Sequence, residues 1–103
     1  MNIEQAVDTI YNGLVSESSI PVRLRSHMEL DLKQLDSVQK ALDYAIEYYK
    51  EESFIPKKVA LALFDVYGAF SFKEGCFDDD FLVKLEDIGL ELQEKALELF
   101  SED

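Results

Sequence analysis

The residues of this sequence that could do chemistry are few, and several of them lie in one stretch. The segment GCFDDDFL, residues 75–82, contains the only cysteine, Cys76, and the only run of three acidic residues. Three aspartates suggest calcium, but an EF-hand loop needs Gly at position six and Glu at position twelve. Counting from Asp78 gives Val83 and Gly89 at those positions. We therefore do not expect calcium to bind here.

The same three aspartates fit the start of a helix. With Asp78 as the N-cap, Phe77 and Leu82 occupy the two positions of a hydrophobic staple. Asp79 and Asp80 then lie in the first turn, where the helix dipole favours negative charge. This interpretation accounts for all three aspartates without a ligand.

The sequence lacks the residues that metal binding and nucleophilic catalysis require. One cysteine and one histidine, His27, fall short of a zinc ligand set, and a di-iron bundle needs two Glu-x-x-His pairs. Glu91 and Glu94 form one Glu-x-x-Glu pair, without the second carboxylate motif expected of a magnesium-dependent all-α pyrophosphohydrolase. The four glycines are scattered, so no phosphate-binding loop is predicted. We expect no enzymatic activity and no cofactor.

Length and composition predict one domain over residues 1–103. A chain of 103 residues with 48% hydrophobic content can form a core without disulfides or a metal. The single cysteine suits a reducing compartment, and the N-terminus lacks the basic and apolar regions of a signal peptide. The longest apolar run, VALALF, is far shorter than the roughly 20 residues that span a bilayer. These features predict a cytoplasmic protein that does not enter a membrane.

The charge of the chain is strongly negative and unevenly distributed. Its net charge of −12 disfavours nucleic acid and anionic membranes and favours cationic partners. Residues 1–73 have a net charge of −3, whereas residues 74–103 have a net charge of −9. Most of the excess charge therefore belongs to the last third of the chain.

Apolar residues at helical spacing predict an all-α fold, a compact bundle of about five helices that run mainly antiparallel. The predicted ranges are 2–15, 20–30, 32–52, 56–70 and 79–101. Residues 20–32 could be helix or strand, because their apolar and polar side chains also alternate with a period of two. Their Arg, Met, Glu and Leu residues favour the helix. The fourth helix is apolar almost all round, so we expect it at the buried centre.

Local signals indicate where the helices begin. Asn2 with Gln5, and Asp31 with Gln34, have the spacing of capping pairs. The segments SSIPVRLR and SFIPKKVA resemble one another, and each places a proline after a serine, as at a helix start. These two segments therefore predict the starts of the second and the fourth helix.

On the predicted last helix, five carboxylates share one flank. At about 100° per residue they fall within about 60° of one another and span about 27 Å. We call this set the acidic ridge, and its members are Asp80, Asp87, Glu91, Glu94 and Glu98. Like charges three and four residues apart repel, and Lys84 and Lys95 are placed to relieve part of this by pairing with Asp80 and Glu91. The ridge either serves solubility alone or binds a cationic partner.

Two further surfaces are candidates for contacts. Val83, Leu90 and Leu97 follow one another at intervals of seven, almost opposite the core stripe of the same helix. This line, here called the seam, is either covered within the monomer or exposed as a homodimer contact. On the third helix, Tyr44 and Tyr48 lie one turn apart beside two glutamates, and tyrosines of this kind anchor protein interfaces.

Four basic residues are a minor but related signal. Arg23 and Arg25 lie in the first turn of the predicted second helix, and Lys57 and Lys58 lie in the first turn of the predicted fourth helix, where the helix dipole disfavours cations. One interpretation is that they face an anion, or the acidic ridge of another subunit.

These features predict a small acidic module that masks a basic surface of a partner protein. Bacterial immunity proteins and antitoxins, which cover the cationic active site of a toxin, are similar in size and composition, although no motif identifies a family. The predicted partner-binding residues are the acidic ridge with Tyr44 and Tyr48. The alternative is a self-associating structural or regulatory helical protein with no inhibitory role, in which the charge serves only solubility.

Overall fold

The computed structural model describes residues 1–101 and consists, within that range, of six helices and no strand. The predicted all-α bundle is confirmed. The helices are α1 (Ile3–Leu14), α2 (Ile20–Arg25), α3 (Leu32–Tyr48), α4 (Lys57–Leu63), α5 (Val66–Ala69) and α6 (Asp79–Phe100). Their buried apolar side chains form one cluster to which all six helices contribute.

The long helices begin where their capping residues predict. Asn2 and Gln5 form a reciprocal capping box at α1, with hydrogen bonds of 2.8 and 3.0 Å. The Asp31 carboxylate caps α3 by accepting from the backbone N–H of Gln34 at 3.0 Å. Each capping oxygen satisfies a backbone N–H that has no partner within its helix.

Residues 20–32 form a short helix followed by irregular chain. The hydroxyl of Ser19 accepts from the backbone N–H of Val22 at 3.4 Å and starts α2. Beyond Arg25 the chain turns back, and the N–H of Met28 donates to the carbonyl of Arg23 at 3.0 Å. His27 has a φ of 59°, the left-handed conformation that commonly ends a helix. The predicted helix 20–30 was therefore too long at its C-terminal end.

The predicted helix 56–70 is in fact two helices. Asp65 has φ −135° and ψ 45°, outside the helical region, and it separates α4 from α5. The third predicted helix, 32–52, also ends earlier, since Tyr49 is its C-cap. In both cases the helix ends earlier than predicted, although the pattern of apolar residues continues past its end.

The centre of the bundle is formed mainly by α1 and α3 and not by α4. Helix α1 contacts α2, α3 and α4, and its contact with α3 is the most extensive in the protein. Gly13 of α1 lies so close to Val38 of α3 that a Cβ at position 13 would overlap the Val38 methyl group. On α4 only one side is buried, and Leu61 and Phe64 are exposed. The prediction that the fourth helix is the buried centre is wrong.

Helix α5 is held against α6 at a glycine. A Cβ at Gly89 would lie 3.1 Å from the Cβ of Phe70 and 3.2 Å from the carbonyl oxygen of Tyr67. The Tyr67 hydroxyl donates to Glu86 Oε1 at 2.7 Å, and this bond raises the pKa of Tyr67. The short helix thus packs on the N-terminal half of α6, and α3 also contacts α6.

The Asp31 cap makes a pH-dependent contribution to stability. Its hydrogen bond from the Gln34 N–H, and then its bond to the Arg23 guanidinium at 3.0 Å, lower the pKa of Asp31 from 3.8. A carboxylate with a lowered pKa stabilises the fold fully above its unfolded value of 3.8 and loses that effect as the pH falls through its folded pKa.

We therefore expect Asp31→Asn, which keeps an acceptor but removes the charge, to lower the melting temperature at pH 7. The difference from the wild type should shrink as the pH falls below 3.8, because the wild-type carboxylate is then protonated too. Thermal unfolding monitored by circular dichroism at several pH values measures this. An Asp36→Asn control is informative, since Asp36 also lies near the start of α3 but pairs only with the exposed Lys40. A constant difference at all pH values would contradict the charge effect.

No helix within residues 1–101 combines the length and the apolar character that crossing a membrane requires.

Candidate protein-binding surface

Helix α6 begins as the three aspartates predict. The carboxylate of Asp78 accepts from the backbone N–H of Phe81 at 2.8 Å, and Asp79 and Asp80 lie in the first turn. Phe77, the residue before the cap, packs edge-on against Phe81 with ring centroids 5.1 Å apart. The aspartates thus act as a cap and a favourable first turn.

All five carboxylates of the acidic ridge are exposed along α6. Because α6 is one uninterrupted helix from Asp79 to Phe100, the predicted angular positions apply along its whole length. The ridge is thus a continuous line of negative charge beside the buried stripe, which includes Leu85, Leu92 and Leu99.

None of the ridge carboxylates pairs with a basic side chain of residues 1–101. The ion pairs of that range are Arg23–Asp31, Lys40–Asp36, Lys58–Asp8 and Lys95–Asp43. The expected Glu91–Lys95 and Asp80–Lys84 pairs are absent from this set. Lys95 instead reaches across to Asp43 of α3 at 3.0 Å, which ties the two helices together. The repulsion along the ridge is therefore not relieved by its own helix.

The acidic surface continues from α6 onto α3. Glu98 and Leu99 line a cleft together with Ile46, Glu47 and Lys50. Glu47 is exposed and lies across this cleft from the C-terminal end of the ridge, so carboxylates of two helices line the cleft together with Lys50.

Tyr44 and Tyr48 form an exposed aromatic pair at the far edge of α3. Their rings are stacked with centroids 6.5 Å apart, and Tyr48 also packs edge-on against the buried Tyr49 at 5.0 Å. At about 100° per residue, Tyr44 lies about 60° round α3 from Glu47. Glu47 therefore lies between the two tyrosines and the ridge.

The seam on α6 is exposed. Val83, Leu90 and Leu97 are all solvent-accessible, so no other helix of residues 1–101 covers them. Of the two alternatives that the sequence left open, burial within the monomer is excluded for this range. Their spacing of seven residues places the three side chains on one exposed face of α6, where they can contact another helix.

A further apolar surface lies on α4 and was missed from the sequence. Leu61 and Phe64 line a groove with Tyr11 of α1, and Lys57 and Lys58 form its rim. Phe64 is 89% exposed. The available signal was that α4 begins with two lysines and is otherwise apolar on all sides, but an all-round apolar helix more often indicates burial.

The described residues offer no evident site for catalysis or metal binding. Within residues 1–101, no three His, Cys, Asp or Glu side chains are grouped so that they could hold a metal ion. Cys76 is exposed in the loop before α6. The absence of enzymatic activity stays a prediction.

The fold and these surfaces define a small all-α protein with an acidic face and exposed apolar lines. Comparison with protein-family models, with curated proteins and with solved structures found no significant match.

Proposed function

We propose that this protein is a binding module whose acidic ridge covers a basic surface of a partner protein, as immunity proteins and antitoxins cover the active site of a toxin. The observation that carries the proposal is the ridge itself: five exposed carboxylates of α6 that have no basic partner among residues 1–101. A basic toxin is the kind of partner that this surface fits.

Unrelieved repulsion along the ridge is what makes a cationic partner favourable. Exposed like charges three or four residues apart cost a helix roughly 0.2 to 0.5 kcal/mol per pair. A partner that brings lysines or arginines removes this cost and gains ion pairs in a partly desolvated interface. The same field steers a basic protein toward the ridge during diffusion and speeds association.

The neighbouring part of α3 adds aromatic contact area to the charge of the ridge. Glu47 extends the negative surface across the cleft beside Glu98, and the stacked pair Tyr44 and Tyr48 adds rigid aromatic area next to it. Stacked tyrosines lose little side-chain entropy on binding and can donate hydrogen bonds from their hydroxyls. In this proposal the charges orient the partner and the tyrosines anchor it.

We place this activity in the cytoplasm. The support is chemical: the one cysteine, Cys76, is exposed as a free thiol, which a reducing compartment preserves.

Reversing the ridge charge is expected to abolish partner capture without loss of the fold. In Glu91→Lys/Glu94→Lys/Glu98→Lys, each change replaces an attraction by a repulsion, so affinity for a basic partner should fall at least about 100-fold. The partner is first isolated from a bacterial extract on immobilised wild-type protein and identified by mass spectrometry. Binding of the purified partner to each variant is then measured by calorimetry.

A charge-matched control separates the ridge from net charge. Glu17→Lys/Glu29→Lys/Glu74→Lys changes the net charge from −12 to −6, as the ridge variant does, at exposed positions outside the helices. This control should keep most of the affinity. Equal losses in the two variants, or unimpaired binding by the ridge variant, would contradict the proposal. Thermal unfolding checks the fold, and the ridge variant should be at least as stable as the wild type.

The second candidate is the alternative of a self-associating helical protein with no inhibitory role. The exposure of Val83, Leu90 and Leu97 favours it, because apolar side chains at intervals of seven on one exposed face of a helix can pack against a second helix. Here the carboxylates would serve only to keep the assembly soluble.

A further inference from the structure

An exposed apolar area extends from α1 across α4 to α6. One groove, between α1 and α4, is lined by Tyr11, Leu61 and Phe64. A second, between α4 and α6, is lined by Phe64, Leu97 and Phe100. Phe64 belongs to both and projects between them with 89% of its surface exposed. The two grooves are therefore one continuous surface.

The seam extends this surface along α6. Phe100, Leu97 and Glu94 follow one another at intervals of three residues, so each lies about 60° further round the helix than the one before. Phe100 is on the side toward α4, Leu97 is central, and Glu94 is on the side of the ridge. Leu90 continues the central line one heptad earlier and is also exposed.

The charges at the two edges of this surface are opposite. The basic charge of the edge on α4 comes from Lys57, which has no ion-pair partner within residues 1–101, because Lys58 is neutralised by Asp8 at 2.8 Å and lies over the Tyr11 ring. The edge on α6 is acidic, because Glu94 and Asp87 are the ridge members nearest the seam. From one edge to the other, the surface is basic, then apolar, then acidic.

We propose that this surface is the two-fold interface with a second copy of the chain. A surface that is basic at one edge, apolar in the middle and acidic at the other edge is self-complementary under a two-fold rotation through its centre, near Phe64 and Leu97. The rotation brings Lys57 of each copy toward Glu94 and Asp87 of the other. Phe64 of each copy then packs against the seam of its neighbour.

This inference rests on the second candidate function, self-association, and it names the surface that would bring the copies together. It is compatible with a basic partner as well. Asp80, Glu91 and Glu98 lie on the side of the ridge away from the seam, so they stay accessible in the dimer. The interface therefore uses one flank of the ridge and leaves the other free.

The role of Phe64 is tested by a matched pair of substitutions. Phe64→Ser should weaken the dimer about 30-fold or more, as expected for an aromatic anchor at the centre of an interface. Phe54→Ser is the control, because Phe54 is 88% exposed and lines neither groove. Sedimentation velocity over a range of protein concentrations gives the dissociation constant of each variant. Phe64 has few contacts to lose, so the monomer should stay folded.

A charge exchange tests the orientation of the two copies. Lys57→Glu and Glu94→Lys should each weaken the dimer several-fold, and the double variant should restore it. Glu94→Lys is the more decisive change, because it reduces the net charge from −12 to −10. General repulsion between acidic chains would make that variant associate more tightly, as expected for the control Glu29→Lys, whereas this interface makes it weaker.

The results of these experiments test the proposed interface separately from self-association and from the capture of a basic partner. A dimer that is unaffected by Phe64→Ser and by both charge changes would overturn the interface but leave self-association intact. A chain that is monomeric at every concentration would overturn both. Capture of a basic partner is measured separately with Glu91→Lys/Glu98→Lys, which should lose the partner and keep the dimer.

Discussion

Replacing Phe70 by alanine is expected to lower the free energy of unfolding by about 3 to 5 kcal/mol. Phe70 has none of its surface exposed and is among the largest of the fully buried side chains. It follows α5 and lies against Gly89 of α6, so its removal leaves a cavity where these helices meet. Such a loss is a large share of the roughly 5 to 15 kcal/mol that typically stabilises a domain.

Urea denaturation monitored by circular dichroism measures this change, and Phe64→Ala is the matched control. Both residues are phenylalanines close to α5, but Phe64 is almost fully exposed, so its replacement should alter stability by no more than about 0.5 kcal/mol. A Phe70→Ala protein that keeps wild-type stability would show that α5 does not pack on α6 as described.

Gly13→Ala is expected to destabilise the protein by about 1 to 3 kcal/mol, although the same change in an exposed helix stabilises by up to about 1 kcal/mol. Gly13 is buried in α1, and a Cβ there would overlap Cγ2 of Val38 in α3. Because α1 and α3 form the most extensive helix contact, they cannot separate without disturbing the core. Urea denaturation measures the loss.

Val38→Ala tests whether the overlap with Val38 causes the loss of stability. It removes the methyl group that the new Cβ would meet, so Gly13→Ala in a Val38→Ala background should be neutral or stabilising. The two substitutions should therefore show strong favourable coupling in a double-mutant cycle. If Gly13→Ala costs as much in the Val38→Ala background as in the wild type, the close approach of the two helices is not the reason for the loss.

The parts of the fold that were predictable depend on local signals. Helices α1, α3 and α6 have apolar stripes of regular period, and their caps Asn2, Asp31 and Asp78 act within three residues of themselves. Such information is present in a short window of sequence. The start of each of these helices was therefore predicted to within one residue.

The break at Asp65 was not predictable in the same way. Apolar residues continue on both sides of Asp65, and Ala60, Leu61 and Ala62 before it are favourable in helices, so the apolar pattern does not mark the break. The break is accompanied by a tertiary contact: α5 packs on α6 at Gly89, twenty or more residues further along the chain. A sequence window around Asp65 does not contain that contact.

Only part of the surface was predictable, because some of its features depend on contacts between helices. The acidic ridge follows from the period of a single helix, and all five of its carboxylates are exposed. The partner of Lys95 is Asp43, on another helix, and no spacing along α6 could indicate it. Phe64 was assigned to the core because an apolar residue in an apolar helix is usually buried, and only the packing of α4 shows otherwise.

The exposure of one side of α4 also has an evolutionary consequence. On α4, Val59 and Leu63 are buried in the core, whereas Leu61 and Phe64 project outward from the same few turns. Substitutions at the two outward positions cost the fold little, so they can accumulate without a loss of folding that selection would remove. A lineage of such proteins could therefore change the contacts of this surface quickly while its core changes slowly.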